Sequence, residues 1–177
     1  MRFLLAVFAA ALIVLTGCGK PGSAIGVSGD VIGTGKGADY SFTATTIDGT
    51  RFEGASLEGK PAVLWFWAPW CPTCRAQIAG VSKLAEEYDG KVAVIGVGGL
   101  DSEAAIRDVA ARIPHLTHLV DSEGVVWQHF RVTAQSTYTV IGADAEIKAE
   151  GYLDDDDLAT LVARLAGWRC WTCPSTP

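Results

Sequence analysis

The chain has 177 residues, 49% of them hydrophobic and 19% charged, with a formal net charge of −6 at pH 7. That length holds one ordinary domain with short extras. The acidic balance, with no basic block anywhere, argues against nucleic acid as a partner, because phosphate binding relies on clustered Lys and Arg.

The first residues read as a targeting segment. Arg2 supplies a minimal positive region, and Phe3 to Leu15 is an apolar run of signal-peptide length, too short to span a bilayer comfortably. It stops at Leu15-Thr16-Gly17-Cys18. This resembles the bacterial lipobox, in which small residues precede a cysteine that takes lipid and becomes the mature N-terminus. Residues 1–17 are thus expected to be a lipoprotein signal peptide and Cys18 the lipidation site. The alternative is an ordinary signal peptide with an incidental Cys18. Both take the mature protein out of the cytoplasm, into a compartment where disulfides persist. Residues 18–38 carry seven glycines and few apolar groups, so they read as a tether with a reach of about 25 Å.

Residues 39–168 are the expected folded domain. Tyr40, Phe42 and Ala44 alternate with polar residues, and Asp48-Gly49 marks a hairpin turn before Arg51-Phe52. The apolar run Ala62 to Ala68 predicts a buried strand. After it, Ile78, Val81, Leu84, Ala85 and Tyr88 recur at helical spacing until Asp89-Gly90. Lys91 to Val97 reads as a second buried strand. Asp101-Ser102-Glu103 caps a helix through Ile113, where Pro114 ends it. A short helix is expected over Gly124 to Phe130, strands over Tyr138 to Ile141 and Ile147 to Tyr152, and a last helix with Asp154 to Asp157 in its first turn. Strands alternating with helices imply an α/β three-layer sandwich with a central mixed sheet. His115 and His118 flank Leu116-Thr117 and read as surface-loop residues, and the acid run reads as a helix start, not a metal site.

The chemistry concentrates in Trp70-Cys71-Pro72-Thr73-Cys74. Two thiols lie two residues apart where a buried strand gives way to a helix. A sulfur at a helix N-terminus meets unpaired N–H groups and the positive end of the macrodipole, which favour the thiolate nucleophile. The second sulfur can close a disulfide. Five cysteines are present: with Cys18 assigned to lipid, two C-x-x-C pairs remain, Cys71 with Cys74 and Cys170 with Cys173. The two pairs could formally complete a zinc site, but a strand-to-helix junction is not a zinc knuckle. Cys170 and Cys173, in the tail over residues 169–177, read as a local structural disulfide or as a second redox pair exchanging electrons with Cys71 and Cys74.

Phe66-Trp67-Ala68-Pro69-Trp70-Cys71-Pro72-Thr73-Cys74-Arg75 resembles the active-site signature of thioredoxin-like proteins, and most of all their exported TlpA/DsbE-type branch. Asp39 to Phe42 with the Asp48-Gly49 hairpin is similar to that branch's N-terminal extension. Asp121 to Val125 and Phe130 to Thr133 resemble its later half. The resemblance implies a thioredoxin-like fold with an N-terminal β-hairpin extension. It also implies thiol–disulfide exchange: Cys71, exposed, attacks first, and the more buried Cys74 resolves. Trp70, Pro72, Thr73, Gln135 and Ser136 would form the surroundings of the pair. The implied partners are cysteine-bearing exported proteins and a membrane redox partner. No cofactor or resident metal is implied.

Three positions depart from the family pattern. Ser136 stands where a cis-proline usually faces the disulfide, and a serine peptide is expected to be trans. Trp65 stands where a buried acid is usual, and Gln77 where Glu is frequent. Proton transfer is then left to water, to the partner or to another residue, of which Glu86 is one candidate. The altered groove keeps a second reading open, a lipoprotein that holds a soft metal such as Cu(I) on Cys71 and Cys74. A peroxiredoxin-type peroxidase is a third, although Trp67-Ala68-Pro69-Trp70 is not the usual approach to a peroxidatic cysteine.

Overall fold

The computed structural model describes residues 34–167. The expected lipidation site Cys18 and most of the predicted tether lie outside them. So do Cys170 and Cys173, the expected second cysteine pair. The elements are β1 (Thr43–Thr46), β2 (Arg51–Glu53), a 3₁₀ turn (Gly54–Leu57), β3 (Ala62–Trp67), α1 (Pro72–Glu87), β4 (Ala93–Gly98), α2 (Glu103–Ala110), β5 (Thr117–Val120), α3 (Val125–His129), β6 (Thr137–Ile141), β7 (Ile147–Gly151) and α4 (Asp155–Leu165).

The strands form one seven-stranded sheet in the order β2-β1-β5-β4-β3-β6-β7. β3, β4 and β5 run parallel, and every other pairing is antiparallel, so the sheet is mixed. All six residues of β3 are buried. Because side chains alternate across a strand, Val63, Trp65 and Trp67 enter one core with α1, α2 and α4, while Ala62, Leu64 and Phe66 enter the other with Tyr40, Phe42, Leu57, Val126 and Trp127. Helices on both faces complete the three-layer α/β sandwich of the thioredoxin-like fold. The hairpin turns at Gly49, whose φ of +86° suits glycine. β1 then pairs with β5, which places the extension against the sheet.

The fold begins before residue 39. Backbone bonds from Thr34 N–H to Ile147 O (2.8 Å), Ala38 N–H to Ala145 O (2.7 Å) and Ile147 N–H to Lys36 O (2.9 Å) fasten the end of the predicted tether beside β7. Such pairing uses only main-chain groups, so glycine-rich composition gives no sign of it. At the other end of the domain, Asp154 caps α4 by accepting the Asp157 N–H at 2.8 Å. α2 stops at Ala110, short of the expected Ile113. Its last turn tightens to i→i−3 bonds from Arg112 and Ile113 ahead of Pro114.

β5 and His118 correct the sequence reading. His115 is exposed at φ +71°, as a loop residue, but His118 is 2% exposed in a central strand. Its Nε2 lies 3.2 Å from Ile113 O, and its ring meets Trp67 edge-on at 5.9 Å. Gly96 on β4 makes room: a Cβ there would fall 2.5 Å from His118 Nδ1. Nε2 faces a carbonyl and so carries the proton. Nδ1 is buried without a hydrogen-bond partner among the described residues. Burial therefore holds the ring neutral, pushing its pKa below the ordinary value.

The pH dependence follows from that direction. The unfolded chain takes up a proton near pH 6.5, whereas the folded chain refuses it until lower pH. The stability contributed by neutral His118 is complete above about pH 6.5 and is lost as pH falls through the folded value. Thermal melts between pH 7.5 and 5 should show the midpoint dropping on acidification, and His118→Phe should flatten that slope.

Candidate active site

β3 ends at Trp67, and a short bend delivers Cys71 to the start of α1. Cys71 is the N-cap, with extended backbone at φ −77° and ψ 116°, and Pro72 holds the first turn. The Cys71 sulfur accepts the Cys74 N–H at 3.1 Å, so a sulfur does the work usually given to an N-cap oxygen. The two cysteines are joined as a disulfide across a Cα–Cα distance of 5.3 Å.

Burial differs from the expectation of an exposed Cys71 and a buried Cys74. Each is 2% exposed. The disulfide turns the Cys71 sulfur inward, beneath Ser136, whose Oγ lies 3.1 Å from Cys71 Sγ and 3.2 Å from Cys74 Sγ. The exposed flank is instead Trp70, 49% accessible, whose indole N–H donates to Leu100 O at 3.1 Å. Leu100 is itself 50% exposed. Thr73 is exposed on the first turn of α1, and Gln135 is half-buried beside Ser136. Cys170 and Cys173 were expected either as a structural disulfide or as a relay to this pair. Both residues fall beyond residue 167, outside the described part of the chain, so the site comprises Cys71 and Cys74 alone among the described cysteines.

The three departures from the family pattern are one hydrogen-bonded unit. Trp65 Nε1–H donates to Gln77 Oε1 at 2.9 Å, and Gln77 Nε2–H donates to Ser136 O at 3.2 Å. Ser136 N–H in turn donates to Phe66 O at 2.9 Å. Trp65, Gln77 and Ser136 are all buried. Ser136 sits at φ +66° with a trans peptide bond. Proline fixes φ near −65° and has no N–H, so it fits neither that backbone nor the bond to Phe66. An indole replaces the buried acid, an amide replaces the Glu, and each satisfies the other. Glu86, the candidate acid, is exposed on α1 and belongs to no part of this arrangement. A groove of about 520 Å³ runs along residues 129–134 and the β6–β7 edge, next to the segment that carries Ser136.

A mixed sheet, a helix capped by one cysteine and a disulfide to the next turn define a thioredoxin-like protein with a thiol–disulfide centre. Residues 36–150 match the AhpC/TSA family, and the chain belongs to it. The soluble secreted antigen MPT53 of Mycobacterium tuberculosis is 39% identical over 58% of this chain and 60% of its own length. The alignment thus spans less than two thirds of that relative. Among solved structures, M. tuberculosis DsbF in mixed oxidised and reduced forms is 40% identical, covering 71% of this chain and 96% of that one, with a TM-score of 0.67. A secreted M. tuberculosis disulfide oxidoreductase homologous to Escherichia coli DsbE is 34% identical over 71% and 97%, with a TM-score of 0.63.

Removing the Gln77 amide strands two buried partners at once, the Trp65 N–H and the Ser136 carbonyl. Gln77→Leu should therefore cost about 2–4 kcal/mol, read by urea unfolding. Trp65→Phe in the Gln77→Leu background should recover part of that loss, because it deletes the stranded indole donor.

Proposed function

We propose that this protein is an extracytoplasmic, membrane-tethered thiol–disulfide oxidoreductase acting on the cysteines of exported proteins. The observation that carries this reading is the Cys71–Cys74 disulfide at the mouth of α1, with Cys71 as the helix cap. In the oxidised form, a substrate thiolate attacks Cys71. The Cys71–Cys74 bond breaks, Cys74 leaves with the electron pair and takes a proton, and a mixed disulfide forms. A second substrate thiolate then displaces Cys71, leaving the substrate oxidised and the protein a dithiol. The reverse sequence reduces a substrate disulfide.

Trp70 and Leu100 supply an apolar flank beside the sulfurs on which an extended substrate can rest. The tether reading is supported by the apolar run Phe3 to Leu15 ending at Leu15-Thr16-Gly17-Cys18. A secreted relative, the MPT53 antigen, is consistent with an extracytoplasmic location. The pairing of Cys71 with a cysteine only three residues away favours disulfide exchange over the peroxidase reading, in which a lone cysteine meets peroxide.

Cys74→Ala removes the resolving thiol and should trap substrates on Cys71. Non-reducing gels of cell envelopes should show covalent adducts that disappear with dithiothreitol and are absent when Cys71 is also replaced by Ser. An absence of adducts would count against protein substrates. Cys18→Ala should move the protein from the membrane fraction to the soluble exported fraction, and unchanged membrane association would refute the lipid tether.

A further inference from the structure

We propose that the Ser136 hydroxyl is the donor that steadies negative charge on both sulfurs during exchange, and that Gln77 and Trp65 are its positioning residues. The inference rests on the oxidoreductase reading above and names the group that serves that chemistry in place of an acid.

The direction of the hydrogen bond follows from the oxidation state. Sulfurs joined in a disulfide carry no proton, so at 3.1 and 3.2 Å the Ser136 hydroxyl is the donor. Nearly equal distances let it serve either sulfur by turning one O–H bond. Pro72 removes one N–H from the first turn of α1, leaving the Cys74 N–H as the helix's donor to Cys71. Ser136 adds a donor from the opposite side. Among the described residues, no carboxylate hydrogen-bonds either sulfur.

The hydroxyl is held rather than merely nearby. The Ser136 N–H is fixed on Phe66 O, and its carbonyl is fixed by Gln77, which Trp65 holds in turn. Its φ of +66° is a conformation that a serine side chain disfavours, a local cost the surrounding bonds offset. A donor locked in place before charge develops needs no reorganisation during the step.

In the reducing direction, the Cys71 thiolate attacks a substrate disulfide, and one substrate sulfur leaves as a thiolate and takes a proton from water. Cys74 then gives its proton to the second departing substrate sulfur as its own sulfur closes on Cys71. The protein loses two electrons and the substrate gains them. Ser136 keeps its proton throughout, donating first to the Cys71 thiolate and then to Cys74 as charge forms there.

The test is a pH titration of Cys71 in the reduced full-length protein, read by the pH dependence of its alkylation by iodoacetamide, resolved from the other cysteines by peptide mass spectrometry. Exchange with oxidised glutathione is measured alongside. Ser136→Gly removes the hydroxyl yet suits positive φ, and Ser136→Ala removes it while keeping the backbone strain. Both should raise the Cys71 midpoint by about 1 pH unit, because a hydrogen bond to a charged group is lost. The exchange rate below that midpoint should fall about threefold, since higher intrinsic nucleophilicity recovers roughly half of the tenfold loss of thiolate on a logarithmic scale. Gln77→Leu should raise the midpoint less, and adding it to Ser136→Gly should raise it no further. If wild type exchanges with glutathione but both serine variants keep its midpoint and rate, the role of Ser136 is refuted. A change in Ser136→Gly alone would assign the effect to relief of backbone strain and also refute it. If wild type itself fails to exchange, the oxidoreductase reading falls instead.

Discussion

β3 has no face turned to solvent. It pairs with β4 on one edge and β6 on the other, and its side chains fill cores on both sides of the sheet. A strand held that way has little freedom to shift, and the chain leaving it reaches the start of α1 in four residues. The disulfide pair inherits this rigidity. Cys71 is positioned by its strand and its helix at once, which is what thiolate chemistry at a helix end requires.

The same strand supplies the support beneath the site. Trp65 points from β3 into the core below α1 and meets Gln77, while the main chain of Phe66 holds Ser136 from the next strand over. The sulfurs therefore lie where three elements converge: the start of α1, the strand under it and the loop entering β6. What had been three separate departures from a family pattern is one mutually satisfied set of buried polar groups. Buried polar atoms are costly when unpaired, so residues in such a set constrain one another. An acid at position 65 would have to find a different partner from the one Trp65 has, and a proline at 136 could keep neither its backbone angle nor its bond to Phe66.

Burial of both sulfurs alters how the centre is approached. The disulfide is sheltered by Ser136, while Trp70 and Leu100 stay exposed beside it. Apolar contact and sulfur chemistry are thus adjacent but not superimposed. Under the proposed exchange reaction, this apolar surface is where a substrate rests, with the sulfurs set behind it.

The local features of this domain were legible in its sequence because they depend on neighbours along the chain. The buried strand over residues 62–68, the cysteine-capped helix, the Asp48-Gly49 turn and the acid-started α4 all follow from short-range periodicity, capping and turn chemistry. What the sequence concealed was contact between distant segments. His118 read as a loop residue because its strand is only four residues long and one of them is a histidine. Its burial is set by Gly96 and Trp67, which come from two other strands. Residues 34–38 join the fold through main-chain bonds to β7 that no side chain announces. Cys71, Cys74 and their spacing were enough to name the chemistry. That Trp65, Gln77 and Ser136 form one unit beside it was decided only by folding. It brought Ser136 within hydrogen-bonding distance of Phe66, Cys71, Cys74 and Gln77, all distant along the chain, where burial makes an unpaired polar group costly.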